Sequence, residues 1–296
     1  MTPKACLRRL LQHERLNFVL TNRLPRRTLS RAAGWLSRIE HPWVCAVSIA
    51  VWRLFADLDL SDARQTRFKS LHECFTRELR EGARPIDPDQ RVLVSPCDGL
   101  VGAVGSIETG TLLQAKGQTY RLTDLLAERL SDEAYQGGCY VTLRLTAGMY
   151  HRFHAPHDCR VRRVAHIPGD TWNVNPGTLK RIARLYCRNE RAVLECELVP
   201  DGARIAVIPV AAILVAGIRL RFLDLLLHQD YAGPRVIDCD AHLSKGQEMG
   251  WFEHGSTLIV LAPRGFSICR DVSTGARLRM GQALLQHPAR SARPPL

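Results

Sequence analysis

The chain has 296 residues, 46% of them hydrophobic and 24% charged, with a formal net charge of +12. That length suits one large domain or a domain with an appendage, and the composition excludes a disordered, collagenous or low-complexity chain. The charge is uneven: residues 1–53 hold ten Lys/Arg against Glu14 and Glu40, so this segment carries +8 and the remaining 243 residues only +4.

Trp35, Leu36, Trp43, Val44 and Trp52 run between those charges. Cations interleaved with Trp and Leu predict an amphipathic helix on an anionic membrane surface in preference to a nucleic-acid arm. A solvated helical hairpin packed on the rest of the chain fits the segment equally. No run is long enough to span a bilayer: residues 43–52 stop at Arg53, and residues 205–218, broken by Pro209, read as a buried pair of strands. The apolar stretch 16–20 is too short for a secretory h-region. Ten cysteines without a C-x-x-C pair predict reduced, mostly buried thiols.

Residues 1–80 read as a helical region. Ser70-Leu71-His72-Glu73 forms a capping box, Leu71, Phe75 and Leu79 recur at helical spacing, and Gly82 and Pro85 close the helix. From Arg91 the texture changes to short apolar runs between Gly/Pro turns, at residues 92–94, 140–145, 194–198, 205–208 and 258–261, with one helix over 123–130. The predicted class is α+β: a β-rich sandwich or barrel-like core spanning 81–296, under an amino-terminal basic amphipathic helical cap.

Three local features carry chemistry. Asp98, in Ser95-Pro96-Cys97-Asp98-Gly99, is a turn residue that also could orient a histidine. In Tyr150-His151-Arg152-Phe153-His154-Ala155-Pro156-His157, Pro156 disfavours a helix that would gather the three imidazoles on a metal; a general base with a proton donor fits better. Gly255-Ser256 precedes an apolar strand, and alone is an ordinary hinge like Gly105-Ser106; an Asp and a His make Ser256 a candidate nucleophile.

Together these residues resemble the phosphatidylserine decarboxylase proenzymes. The likeness runs from about Arg31 and is strongest in five stretches: the 95–99 turn, Leu113-Gln114-Ala115-Lys116-Gly117, the 150–156 histidine segment, Pro168-Gly169-Asp170 continuing through Asn173-Val174-Asn175 to Arg188-Asn189-Glu190-Arg191, and Lys245-Gly246-Gln247-Glu248-Met249-Gly250 leading to Gly255-Ser256-Thr257. The resemblance implies self-cleavage at Gly255-Ser256, with Asp98 orienting His154 and His154 deprotonating Ser256. It implies a β chain of residues 1–255 and an α chain of residues 256–296 that form a heterodimer, with Ser256 converted to a pyruvoyl group. That covalent cofactor, without pyridoxal phosphate or metal, would form a Schiff base with phosphatidylserine and release phosphatidylethanolamine, His151 handling the returned proton or the substrate carboxylate. It also implies a peripheral protein on the cytoplasmic face of the cell membrane, no nucleic-acid partner, and room for a higher oligomer. His254 departs from the uncharged residue that the family commonly has there. A serine hydrolase using Asp98, His154 and Ser256, and a basic binding module with vestigial motifs, are the competing readings; both predict an intact chain.

Overall fold

The computed structural model describes residues 26–115, 118–127, 129, 131–212, 217–253 and 256–287. Three helices come first: α1 (Arg26–Ser37), α2 (Pro42–Phe55) and α3 (Leu71–Phe75). Pro42 opens α2, where its missing N–H costs nothing. Ser70 caps α3 by accepting from the Glu73 N–H at 3.2 Å, while the Glu73 carboxylate turns to the Lys69 N–H. The helix is shorter than its spacing predicts. It ends at Phe75, where the Thr76 hydroxyl and N–H both return to the His72 carbonyl. Leu79 lies beyond it, bridged to Ala63.

The strands follow in chain order: β1 (Val92–Val94), β2 (Gly99–Ser106), β3 (Thr111–Ala115), β4 (Gln118–Arg121), β5 (Cys139–Leu145), β6 (Arg152–His154), β7 (Cys159–Ile167), β8 (Arg191–Leu198), β9 (Arg204–Ala211), β10 (Ile218–Leu220), β11 (Leu225–Leu227), β12 (Val236–Leu243), β13 (Glu248–Phe252), β14 (Ser256–Ala262), β15 (Ser267–Ile268), β16 (Arg277–Leu278) and β17 (Ala283–Gln286). Eight form an antiparallel sheet in the order β12-β7-β8-β9-β14-β5-β2-β16, and four form a smaller sheet, β11-β10-β13-β6. Both sheets are open, so the sandwich alternative holds. The run 205–218, expected to form a pair of strands, contains β9 from Ile205 onward and only the first residue of β10, and these two strands lie in different sheets.

One core fills the space between these sheets, with Val141, Leu143 and Val260 from the large sheet against Phe153, Met249 and Phe252 from the small one. A second core covers the other face of the large sheet, where Ile208, Ile259 and Leu261 meet Leu125, Leu185 and Tyr186. Coverage on both faces explains why β14 is buried along its whole length, and apolar from Leu258 to Ala262 instead of alternating. Each buried aliphatic side chain contributes about 1.5–3 kcal/mol. The predicted helix over 123–130 contracts to Leu122–Leu126 and stops at Ala127, which has a φ of 51°.

Antiparallel pairing brings alternate strand ends to one rim of the large sheet. Ser256 sits there as the first residue of β14, in register with Ala211 of β9 and Leu145 of β5. The 95–99 turn enters β2 at the same rim, and residues 146–151 leave it toward β6. The Asn189 amide donates to the carbonyls of Trp172 and Ala211 at 2.8 Å, which ties the 168–191 motif to the strand beside Ser256.

Candidate active site

Ser256 and His151 are both completely buried. The ring Nδ1 of His151 lies 3.3 Å from the Ser256 Oγ, and its Nε2 lies 3.1 Å from the Thr146 carbonyl. A carbonyl only accepts, so Nε2 carries the proton and Nδ1 is the bare nitrogen facing the serine hydroxyl. Thr146 thus sets the tautomer that a carboxylate sets in a Ser-His-Asp triad. The Phe75 ring stacks on His151 with centroids 4.0 Å apart, and Trp52 stacks behind Phe75 at 5.6 Å. The helical cap therefore closes the site with aromatic rings and keeps bulk water from the serine.

His154 occupies a different place. Three residues from His151 on an extended chain, it projects to the opposite face. Its Nδ1 donates to the Gly246 carbonyl at 2.9 Å, and its bare Nε2 accepts from the Tyr150 hydroxyl at 3.0 Å. Gly246 makes its turn at a φ of 80°, which glycine adopts without strain. Burial is the main force on His154 and lowers its pKa, so the ring is neutral. It borders a cavity of about 430 Å³ that is also lined by Tyr150, Arg84, Arg221, Glu78 and Glu248.

Asp98 is likewise buried, and Arg84 holds it bidentately at 2.9 and 2.7 Å while the Met280 N–H donates to it at 2.9 Å. Its charge still acts on His154, whose N–H donates to the Pro96 carbonyl in the same turn. The expected relay from Asp98 through His154 to Ser256 is therefore not assembled in this structure. His151 touches the serine, and Arg84 occupies the aspartate. Gly255 and His254, the other residues expected at the scissile bond, lie outside the described residues. Among the described residues, no cluster has the composition of a metal site. Cys97 is fully buried and its thiol is raised well above its ordinary pKa by that burial, which suits an inert packing residue.

Sequence reasoning missed Phe75, Thr146, Tyr150 and Arg84 as parts of the site. Tyr150 carried a signal, because it abuts the histidine pair. A backbone acceptor such as Thr146 leaves none in side-chain type.

A serine hydroxyl at the head of a core strand, 3.3 Å from a bare imidazole nitrogen, has the arrangement that serine-based acyl transfer requires. The comparisons give the particular case. The phosphatidylserine decarboxylase family profile matches residues 71–286. The chain is 36% identical over 281 residues to a protein of Anaeromyxobacter sp. (strain K), covering 92% of this chain and 98% of that one. It is 32% identical over 287 residues to one of Xylella fastidiosa (strain M12), covering 91% and 94%. It is 34% identical over 281 residues to one of Xanthomonas euvesicatoria pv. vesicatoria (strain 85-10), covering 90% and 96%. All three relatives are named phosphatidylserine decarboxylase proenzyme. The chain belongs to the phosphatidylserine decarboxylase family.

Proposed function

We propose that this chain is a precursor that cleaves itself at Gly255-Ser256, converts residue 256 to a pyruvoyl group, and then decarboxylates phosphatidylserine to phosphatidylethanolamine. The observation that carries the reading is the Ser256 hydroxyl on the bare Nδ1 of His151 at the start of β14. The Ser256 Oγ bonds to the Gly255 carbonyl carbon as its proton passes to His151 Nδ1. That proton then goes to the leaving nitrogen as the peptide C–N bond breaks. Loss of the Ser256 Cα proton and rupture of the Cβ–Oγ bond free the new carboxylate of residue 255. The dehydroalanine left behind takes up water and releases ammonia.

Residue 256 suits the converted group. Its carbonyl side stays in β14, between β9 and β5, so the new terminus keeps its ladder and the two chains stay interlocked as a heterodimer. The pyruvoyl carbonyl supplies an electron sink once it condenses with the substrate amine. Thr146 keeps His151 Nδ1 aimed at position 256, where it can hold the proton that replaces carbon dioxide. Phe75 and Trp52 exclude water from that exchange.

A second reading keeps Asp98 and His154 as the self-cleavage relay, with His151 serving decarboxylation alone. It is favoured by the neutral His154 ring within reach of the Asp98 charge, and it requires the Tyr150 hydroxyl to yield Nε2 to Ser256.

The cap gives the lipid reading its docking face. Trp43, Val47 and Val51 recur every fourth residue on α2 and are 77%, 57% and 44% exposed, with Trp35 of α1 72% exposed nearby in sequence. No helix among the described residues is long and apolar enough to cross a membrane. An apolar stripe within a segment of +8 charge docks on an anionic bilayer from one side. The test is phosphatidylethanolamine formation from phosphatidylserine vesicles, before and after treatment with hydroxylamine. Carbonyl-dependent turnover stops on treatment. Release of fatty acid or serine from the same vesicles without phosphatidylethanolamine, unaffected by hydroxylamine and lost to a serine-directed phosphonate, would point to a hydrolase-type serine instead.

A further inference from the structure

Glu253 is the last described residue before the scissile bond, and it is 4% exposed. Arg38, just beyond α1, donates to its Oε2 at 2.7 Å, and His72 of α3 meets the same oxygen at 2.5 Å. The Trp251 indole N–H donates to Oε1 at 3.1 Å, and the Glu253 backbone N–H donates to the Gly217 carbonyl at 3.0 Å. Gly217 leaves the space that this side chain fills, since a Cβ there would stand 2.8 Å from the Glu253 Cγ. Both carboxylate oxygens and the main chain are thus fixed, two residues ahead of the bond to be cut.

The same short helix also holds the other reaction partner. One turn of α3 separates His72, which grips Glu253, from Phe75, which stacks on His151. A shift of α3 would move Glu253 and the ring facing the nucleophile together. Cleavage is sensitive to such alignment, because misplacing reacting groups by about 1 Å can cost on the order of a hundredfold in rate.

We propose that Glu253, clamped by Arg38 and His72, is a positioning residue for self-cleavage, and that the clamp makes cleavage conditional on the docked helical cap. This rests on the self-processing reading above. Held this way, Glu253 fixes the chain two residues before the scissile bond, and an undocked cap leaves the precursor whole.

The test is the rate at which precursor made by cell-free translation converts to chains of 255 and 41 residues on denaturing gels. Glu253→Gln and Arg38→Gln each slow conversion about tenfold or more, and the double variant is no slower than the worse single one because both act through one contact. Arg38→Lys, which keeps the charge, restores the rate to within about twofold. Thermal unfolding of the same variants in a Ser256→Ala background shows that they are folded at the assay temperature. Arg38 is half exposed, so its variants report even if Glu253→Gln does not fold. Unchanged or faster conversion in Arg38→Gln, with the parent chain converting normally, overturns the clamp alone. Conversion of Ser256→Ala itself overturns the self-processing reading on which the clamp rests.

Discussion

Exchanging each histidine for glutamine decides between His154, the base that the resemblance implies, and His151, the histidine that touches Ser256. His151→Gln removes the nitrogen that faces the Ser256 hydroxyl at 3.3 Å. Loss of a positioned proton acceptor slows a reaction about 10²–10⁴-fold, or about 3–5 kcal/mol in the barrier. The lost stack on Phe75 removes a further ~0.5–1.5 kcal/mol, from stability and not from the barrier. His154→Gln leaves the Ser256 contact untouched and replaces hydrogen bonds to Gly246 and Tyr150 that a side-chain amide can partly remake. Its effect on cleavage is below about tenfold. The assay is the half-life of freshly translated precursor at neutral pH, followed as two chains on a denaturing gel. Normal cleavage in His151→Gln with arrest in His154→Gln would refute the assignment from geometry and restore the Asp98–His154 relay.

Three more outcomes follow from the same structure. Burial alone would raise the Glu253 carboxyl, but the hydrogen bonds and charges of His72 and Arg38 outweigh it and hold the pKa at about 2, below its ordinary 4.5. A lowered folded-state pKa stabilises the fold above pH 4.5, and the benefit fades as pH falls toward 2, so the acid limb of unfolding in the Ser256→Ala precursor is shallower by about 3 kcal/mol when Glu253 is Gln. Trp43→Ser with Val47→Ser lowers sedimentation with anionic vesicles at least about tenfold and leaves cleavage intact, since both side chains are exposed on the cap whereas Ser256 is completely buried. His254→Leu still cleaves; complete loss of processing on that gel would make His254 the base in place of His151.

The strands were legible because apolar, β-branched runs between Gly/Pro turns leave few other structures open, and β5, β8, β9 and β14 fall where those runs lie. Their distribution between two sheets was not, since the apolar run from residue 205 looks the same whether β9 pairs with the next strand or parts from it. Helix α3 was overextended because Leu79 kept the spacing, while what stops the helix is tertiary: Phe75 turns onto His151, and the Thr76 carbonyl accepts from Arg152 at 2.9 Å. The separation of the two histidines was hidden for a related reason. Density suggested shared work, but a spacing of three in an extended strand sends the rings to opposite faces. Glu253 could not be read at all, because its partners Arg38 and His72 lie 215 and 181 residues away in sequence.

The central claim is that Ser256 becomes its own cofactor, and a denaturing mass measurement on active protein tests it most directly. The account predicts two chains parted between residues 255 and 256, the smaller of 41 residues and lacking an amino-terminal amine. A single 33.2 kDa species in a preparation that decarboxylates phosphatidylserine would contradict it.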